Sequence, residues 1–279
     1  MDELLSTTAA ALLLGVGPTA IKRWSDDGTL PCVRTAGGHR RFRRADVERL
    51  LGSQRVDGEA SADGELERWL AAVLSSSDSH EIEGLLLLAR ARAGAWYRAL
   101  GVVGQLVREL GRRWEDGRID VMQEHAASDR LARGLARVSD AILVAPTAPR
   151  ALLVTVEGDD HTLGLSMAEL CLREVGWQTR WAGRATPASE VVAALGRGEL
   201  ALVAASASAF SSDPGRLSTW LGLVGPAAAD AGVELVLGGT GAWSDPPAFG
   251  VRTRDFAELH AYLAGLSSSL AQRRPRPHG

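Results

Sequence analysis

The sequence is poor in several residue types, and each shortage excludes something. Lys22 is its only lysine, so arginine supplies the other 30 of the 31 basic residues. With alanine and glycine so abundant, that bias reads as a coding preference before it reads as function. Cys32 and Cys171 are the only cysteines and lie in distant segments. They exclude a disulfide framework and a cysteine zinc site, and they fit a reducing cytoplasm. No uninterrupted apolar run approaches the roughly 20 residues of a membrane-spanning helix, so a membrane is not an expected partner. Met1-Asp2-Glu3 is acidic and lacks a basic n-region, so no secretory signal is expected. The formal net charge is −3; any nucleic-acid surface must therefore be a local basic patch.

What is present is an ordinary globular composition, 46% apolar over 279 residues, long enough for two or three domains. Residues 1–51 read as one small unit. Ala9 to Leu14 form a short helix with Ser6 or Thr7 as N-cap. Gly15-Val16-Gly17 is the turn, and Pro18 opens a second helix through Ile21 and Trp24 to about Asp27. Two short helices around a glycine-containing turn read as helix-turn-helix. Leu30 to Thr35, the turn Ala36-Gly37-Gly38 and the strand His39 to Phe42 form a hairpin wing, and Arg44 to Leu51 a closing helix. Residues 52–65, rich in glycine, serine, alanine and acids, read as a flexible linker.

Residues 66–146 carry apolar groups at three- and four-residue steps, as at Trp69 and Val73, Leu85 and Leu88, Trp96 to Trp114, and Leu131 to Ile142, which predicts a four-helix bundle. Residues 147–267 alternate strands (Leu152–Val156, Gln178–Trp181, Leu200–Ala205, Glu234–Leu237, one near Val251) with helices at 164–175, 187–196, 215–231 and 254–267. That order predicts a doubly wound, parallel, Rossmann-like α/β sheet. Residues 268–279, with Arg273, Arg274 and Arg276, read as a disordered basic tail.

Two stretches carry chemistry. Residues 34–44 hold Arg34, His39, Arg40, Arg41, Arg43 and Arg44 without an acid, and Thr19, Lys22 and Arg23 lie on the second helix. Cations at such positions meet DNA phosphates, and the second helix enters the major groove. The other stretch is Glu157-Gly158-Asp159-Asp160-His161-Thr162-Leu163-Gly164, directly after the first strand of the sheet. Open α/β sheets bind ligands at the carboxyl ends of their strands. Asp159 is placed to orient a metal-ligating His161 through its second ring nitrogen, and Gly164 leaves room against the backbone. In the bundle, Asp120 and Gln123 form a capping box that places Glu124 and His125 in the first turns of a helix, with Trp114 ending the helix before it. On the residues alone, a satisfied loop histidine, an exposed Glu-His pair and a core tryptophan stay open.

The motifs resemble known families. Leu-x-Gly-Val-x-Pro-x-x-Ile-x-Arg-Trp, then Gly-x-Leu-Pro and Arg-Thr-x-Gly-Gly-His-Arg-Arg-Phe, resembles the winged helix of the MerR family over nearly all of residues 5–51. Asp-x-His-x-x-Gly resembles the cobalamin-binding signature, in which the histidine reaches cobalt from below. Trp-x9-Glu-His resembles the helical cap of CarH/LitR-type photoreceptors of the MerR family. That resemblance implies that Trp114, Glu124 and His125 lie against the adenosyl side of adenosylcobalamin and that His161 is the lower cobalt ligand, oriented by Asp159. It implies that Ser206 and Ser208, in the family's Ser-x-(Leu/Ser/Thr) element, lie beside the buried nucleotide tail. Gly238, Gly239 and Thr240 stand where the family's Gly-Gly element makes room for that tail.

The implied protein is no enzyme but a cytoplasmic, light-responsive transcriptional repressor. As an adenosylcobalamin-loaded oligomer, a dimer or tetramer, it would hold double-stranded operator DNA in the dark and leave it on photolysis of the cobalt–carbon bond. One departure stands out. Where the family has a histidine directly after the cap tryptophan, this chain has Glu115, which puts the family's lit bis-histidine state in doubt. The alternatives are a cobalamin or tetrapyrrole sensor without photochemistry and, third, a corrinoid methyl-transfer protein.

Overall fold

Ser6 starts the first helix: its Oγ accepts the Ala9 N–H at 3.1 Å, satisfying one of the donors a helix start leaves over. The computed structural model describes residues 4–14, 18–35, 37–56, 62–75 and 79–273. The helix is α1 (Thr7–Leu14), followed by α2 (Pro18–Asp26); the expected turn Gly15-Val16-Gly17 lies outside the described residues. Leu4–Ser6, not expected as a strand, forms β1 and pairs antiparallel with β3 (Arg40–Arg43), which also pairs with β2 (Val33–Arg34). Leu14, Ile21, Trp24, Leu30, Phe42 and Val47 close the core of this unit. The next helix, α3 (Arg44–Val56), runs past the expected end at Leu51, and α4 (Ala62–Ser75) begins before the expected Leu66. Both ends of the expected linker 52–65 are thus helical, and only residues 57–61 lie outside the described ones.

Four helices follow from there: α4, α5 (Ser79–Ala93), α6 (Trp96–Glu115) and α7 (Val121–Asp140), each packed on the other three. Trp69, Leu70, Val73, Leu100, Val103, Leu106, Leu110, Leu131 and Leu135 are buried. On α5 the buried stripe is Ile82, Leu86 and Ala89, not the expected Leu85 and Leu88. The reason is a second neighbour: Leu88 packs on the helix-turn-helix core, and Glu83 meets Arg23 of α2 at 3.4 Å. The helix is apolar on two sides, so periodicity alone could not choose the face. The helix-turn-helix and the four helices accordingly lie in one compact unit, residues 1–141.

The second unit, residues 142–279, begins five residues before the expected boundary. Side chains of the sheet unit claim the connecting segment: Arg173 donates to the Ile142 carbonyl and Gln178 to those of Ala145 and Pro146. The sheet is wholly parallel, in the order β5 (Gln178–Gly183), β4 (Arg150–Thr155), β6 (Leu202–Ser206), β7 (Glu234–Gly238), β8 (Val251–Arg252). Strand side chains alternate between faces. Leu152 and Val154 join Val203, Ala205, Leu235 and Leu237 under α9 (Ala188–Leu195) and α10 (Pro214–Asp230). A second helix pair, α8 (Leu163–Glu174) and α11 (Phe256–Arg273), packs together, with α8 on β4, β5 and β6. The expected tail from residue 268 is helical through Arg273; residues 274–279 lie outside the described ones.

The chain leaves β4 toward β5 on one side, and leaves β6 toward β7 on the other. The carboxyl ends of β4 and β6 therefore flank the point where the winding reverses, the place where open α/β sheets keep a crevice.

The α5–α7 contact tests the bundle. A Cβ at Gly134 would stand 2.7 Å from Ile82 Cγ2, a stiff β-branched side chain. Gly134→Ala should therefore destabilise this unit by about 1–3 kcal/mol through overpacking, against the gain of roughly 1 kcal/mol alanine usually brings to a helix. Chemical denaturation of Gly134→Ala with and without Ile82→Ala checks it: the second change should recover part of the loss.

Candidate functional site

The loop after β4 is built around a buried carboxylate. Asp159 is 1% exposed. Its main chain is fixed first: the N–H donates to the Val156 carbonyl, and its carbonyl accepts from Thr155 Oγ1 at 2.6 Å and from the Ala185 N–H at 3.1 Å. Its Oδ2 then accepts the Ser208 N–H at 2.6 Å and Ser211 Oγ at 2.7 Å. Oδ1 lies 3.0 Å from the His161 N–H, 3.0 Å from Ser208 Oγ and 3.1 Å from His161 Nδ1. Burial pushes the carboxyl pKa up. The Ser208 N–H, Ser211 Oγ, the His161 N–H and Ser208 Oγ together outweigh that and hold it below its ordinary 3.8.

An ionised Asp159 fixes the His161 tautomer. It accepts from Nδ1–H, so the lone pair is left on Nε2, and the side chain is half exposed, 52%. Such a nitrogen suits one bond to a metal whose other donors come from its own ligand. The donor chemistry therefore fits a cobalt held in a corrin ring. Phe210 lies flat on the imidazole, with ring centroids 4.3 Å apart and planes 3° from parallel.

The other expected residues of the sheet unit surround this network. Ser206 ends β6 and is buried; Ser208 bonds Asp159, as above. A Cβ at Gly164 would meet Ser206 Oγ only at an ordinary 3.7 Å. Of the two expected glycines, Gly238 ends β7 and Gly239 follows it. Gly239 has φ +85°, and a Cβ there would fall 2.1 Å from the Ala207 carbonyl oxygen. Backbone approach already requires this glycine, whatever a ligand tail requires. Gly238 has only ordinary neighbours, and Thr240 is exposed.

Two residues of the site were missed. Ser211 is invisible as a motif because the β4–β6 register alone carries it to Asp159. Phe210 left a signal: it is one of four phenylalanines in the chain, set in the polar run Ser208-Ala209-Phe210-Ser211-Ser212.

In the first unit, the turn between α6 and α7 has the expected capping box, with Asp120 Oδ1 accepting the Gln123 N–H at 2.7 Å. Trp114 is not a core residue; it is 42% exposed, as are its turn neighbours Val121 and Met122 at 49% and 77%. Glu124 accepts from Ser128 Oγ at 2.6 Å, His125 points into solvent 3.9 Å from the Glu124 carboxylate, and Glu115 is exposed.

Of the expected DNA contacts, Thr19, Lys22, Arg34 and His39 are exposed. Arg23 is engaged by Glu83. Arg40 donates to Asp26 at 2.5 Å and to the Lys22 carbonyl, and Arg41, half buried, to the carbonyl of Arg40. Arg34 stands directly opposite Arg40 across the hairpin, a like-charged pair that Asp26 relieves.

The buried carboxylate makes the sheet unit acid-sensitive. A depressed folded pKa adds stability that is complete above the ordinary 3.8 and is lost as pH falls through the lower folded value. Asparagine offers one acceptor oxygen in place of two and leaves a buried donor unmet, at a cost of about 1–3 kcal/mol. Asp159→Asn should lower the unfolding free energy at neutral pH and flatten its decline below pH 4, measured by denaturant titration from pH 2 to pH 7.

Comparison with known proteins agrees with this layout. Residues 4–55 match the family model of a helix-turn-helix domain, and residues 66–139, the four helices, match that of a B12 binding domain. The HTH-type transcriptional repressor CarA of Myxococcus xanthus is 39% identical over 89 residues, 32% of this chain and 29% of CarA. The HTH-type transcriptional repressor CarH of the same organism is 26% identical over 227 residues, 69% of this chain and 74% of CarH. The chain thus spans under a third of CarA and about three quarters of CarH. The monomethylamine corrinoid protein of Methanosarcina barkeri shares the fold, with a TM-score of 0.55 at 14% identity over 74% of this chain and 100% of that one. The chain joins an N-terminal helix-turn-helix domain to a B12-binding domain, the arrangement that matches transcriptional repressors of the CarA and CarH type.

Proposed function

We propose that this protein is a cobalamin-dependent, light-responsive transcriptional repressor. In this reading the loaded chain, as a dimer or tetramer in the cytoplasm, holds double-stranded operator DNA in the dark and lets go in the light. The observation that carries the reading is the half-exposed His161, its tautomer fixed by buried Asp159, in a chain that begins with a helix-turn-helix. Bound adenosylcobalamin supplies a light-labile cobalt–carbon bond. His161 Nε2 would hold the metal, and Asp159, held by Ser208 and Ser211, would keep the ring oriented. Ser206, Ser208, Gly238, Gly239 and Thr240 would line the place of the nucleotide tail, and Gly164 would leave room for the cofactor against the backbone. Trp114, Glu124 and His125 face the adenosyl side. Glu115 offers a carboxylate where the resemblance places a histidine. No helix among the described residues is long and apolar enough to cross a membrane.

On the DNA side, Thr19, Lys22 and Arg23 of α2 face the major groove, and Arg34, His39, Arg40 and Arg41 make the hairpin a wing on the phosphates. Linked helix-turn-helix units gain affinity only when they engage together, and a ligand shifts DNA binding only by its differential contacts in the two states.

Operator binding by the full chain, with adenosylcobalamin, in the dark and after green light tests the reading. Dark binding that light weakens is expected; equal affinity in both would sink the light switch and favour the sensor without photochemistry. His161→Ala should lose cobalamin retention on gel filtration. Salt dependence separates the cations: Lys22→Ala should reduce the slope of log K against log salt by about 0.9 for each DNA-bound protomer. Arg23→Ala should reduce it by less, since Glu83 already partly neutralises that charge.

A further inference from the structure

Phe210 is 69% exposed, yet its position is tightly determined. Its N–H donates to Ser208 Oγ at 3.2 Å, and Ser208 Oγ itself bonds Asp159 Oδ1. The next residue, Ser211, donates its side chain to Asp159 Oδ2, its N–H donates to the Ser208 carbonyl, and its carbonyl accepts the Ala242 N–H. The carboxylate that orients His161 from its edge thus also anchors the loop that lays a ring on its face. A hydrogen bond at Nδ1 leaves the imidazole free to rock about that contact, and a parallel ring at 4.3 Å restricts the rocking. The phenyl ring is too exposed to serve the core. A ring parallel to the imidazole also turns an apolar edge toward whatever Nε2 binds.

We propose that Phe210 is a positioning residue for the lower cobalt ligand. Its ring sets the plane of His161 and offers an apolar edge to a ligand held at Nε2. This rests on the reading that His161 binds cobalt.

The experiment uses the full chain with Phe210→Leu, Phe210→Tyr and His161→Asn. In the cofactor-free protein, histidine-selective NMR should find the His161 ring protons, assigned by their absence in His161→Asn, shifted upfield by the phenyl ring current. The shift should vanish in Phe210→Leu and persist in Phe210→Tyr. Hydroxocobalamin titrated in the dark and followed by absorbance should bind Phe210→Leu about tenfold more weakly than wild type, the size expected when a support of a metal ligand is removed. Phe210→Tyr should restore binding. Wild-type affinity or tighter binding in Phe210→Leu, or no upfield shift in wild type, would overturn the proposal. If His161→Asn binds with the wild-type affinity and spectrum, or wild type binds no cobalamin, the ligand assignment itself fails and the proposal with it. Thermal unfolding of each variant separates these results from loss of fold.

Discussion

The site at the edge of the sheet depends on the satisfaction of one buried charge. An ionised carboxylate taken out of water is costly unless every lone pair finds a donor. Asp159 meets that demand with donors from two loops, one after each of the strands that flank the reversal in winding. The demand thereby becomes an organising force. It ties the β4 loop to the β6 loop, closes the crevice floor and leaves His161 with one free nitrogen. The Thr155 hydroxyl and the Ala185 N–H hold the same residue by its carbonyl, so the charge cannot relax by moving. Replacing this network with apolar groups would preserve a sheet, but no imidazole would then be held with a defined tautomer at its edge.

In the first unit electrostatics is settled differently. The basic stretch reads in sequence as a row of free cations, but Arg40 and Arg44 within it, and Arg23 on α2, are met by carboxylates of the same chain. Asp26 lies at the end of α2 and compensates Arg40, which would otherwise repel Arg34 across the hairpin. Glu83 comes from α5 and reaches Arg23. Exposed ion pairs of this kind contribute little to stability, so they do not lock the surface. They keep a concentrated positive patch tolerable within a chain of slightly negative net charge.

Local order was legible in the sequence, and long-range choice was not. The capping box at Asp120, the proline opening α2 and the alternation of strands and helices after residue 150 are each set within a few neighbouring residues, and each appears where those residues place it. The Asp159–His161 pair was legible for the same reason, since donor and acceptor are two residues apart. Ser211 and Phe210 were not, because 52 and 49 residues separate them from their partners and only the parallel register of β4 with β6 unites them. The buried face of α5 failed for a related reason. Its apolar residues surround the helix, and the deciding contact is Leu88 on a core formed some forty residues earlier. The ends of α3 and α4 ran into the expected linker because a polar composition lowers the gain from burial without forbidding a helix.

Exposure separates two uses of aromatic side chains in this protein. Trp24, Trp69, Trp96, Trp177 and Trp220 are each at most 5% exposed and are accounted for by packing. Trp114 and Phe210 are not, and neither lies alone: Trp114 has Val121, Met122 and His125 within eleven residues on the α6–α7 turn, and Phe210 has His161 beneath it. Single exposed apolar residues need no explanation. Phe210 differs in lying on the face of an imidazole that a buried carboxylate fixes. Packing and the site network thus fall on different residues. Phe210 can change without loss of packing, and the consequences should appear at the imidazole rather than in the fold.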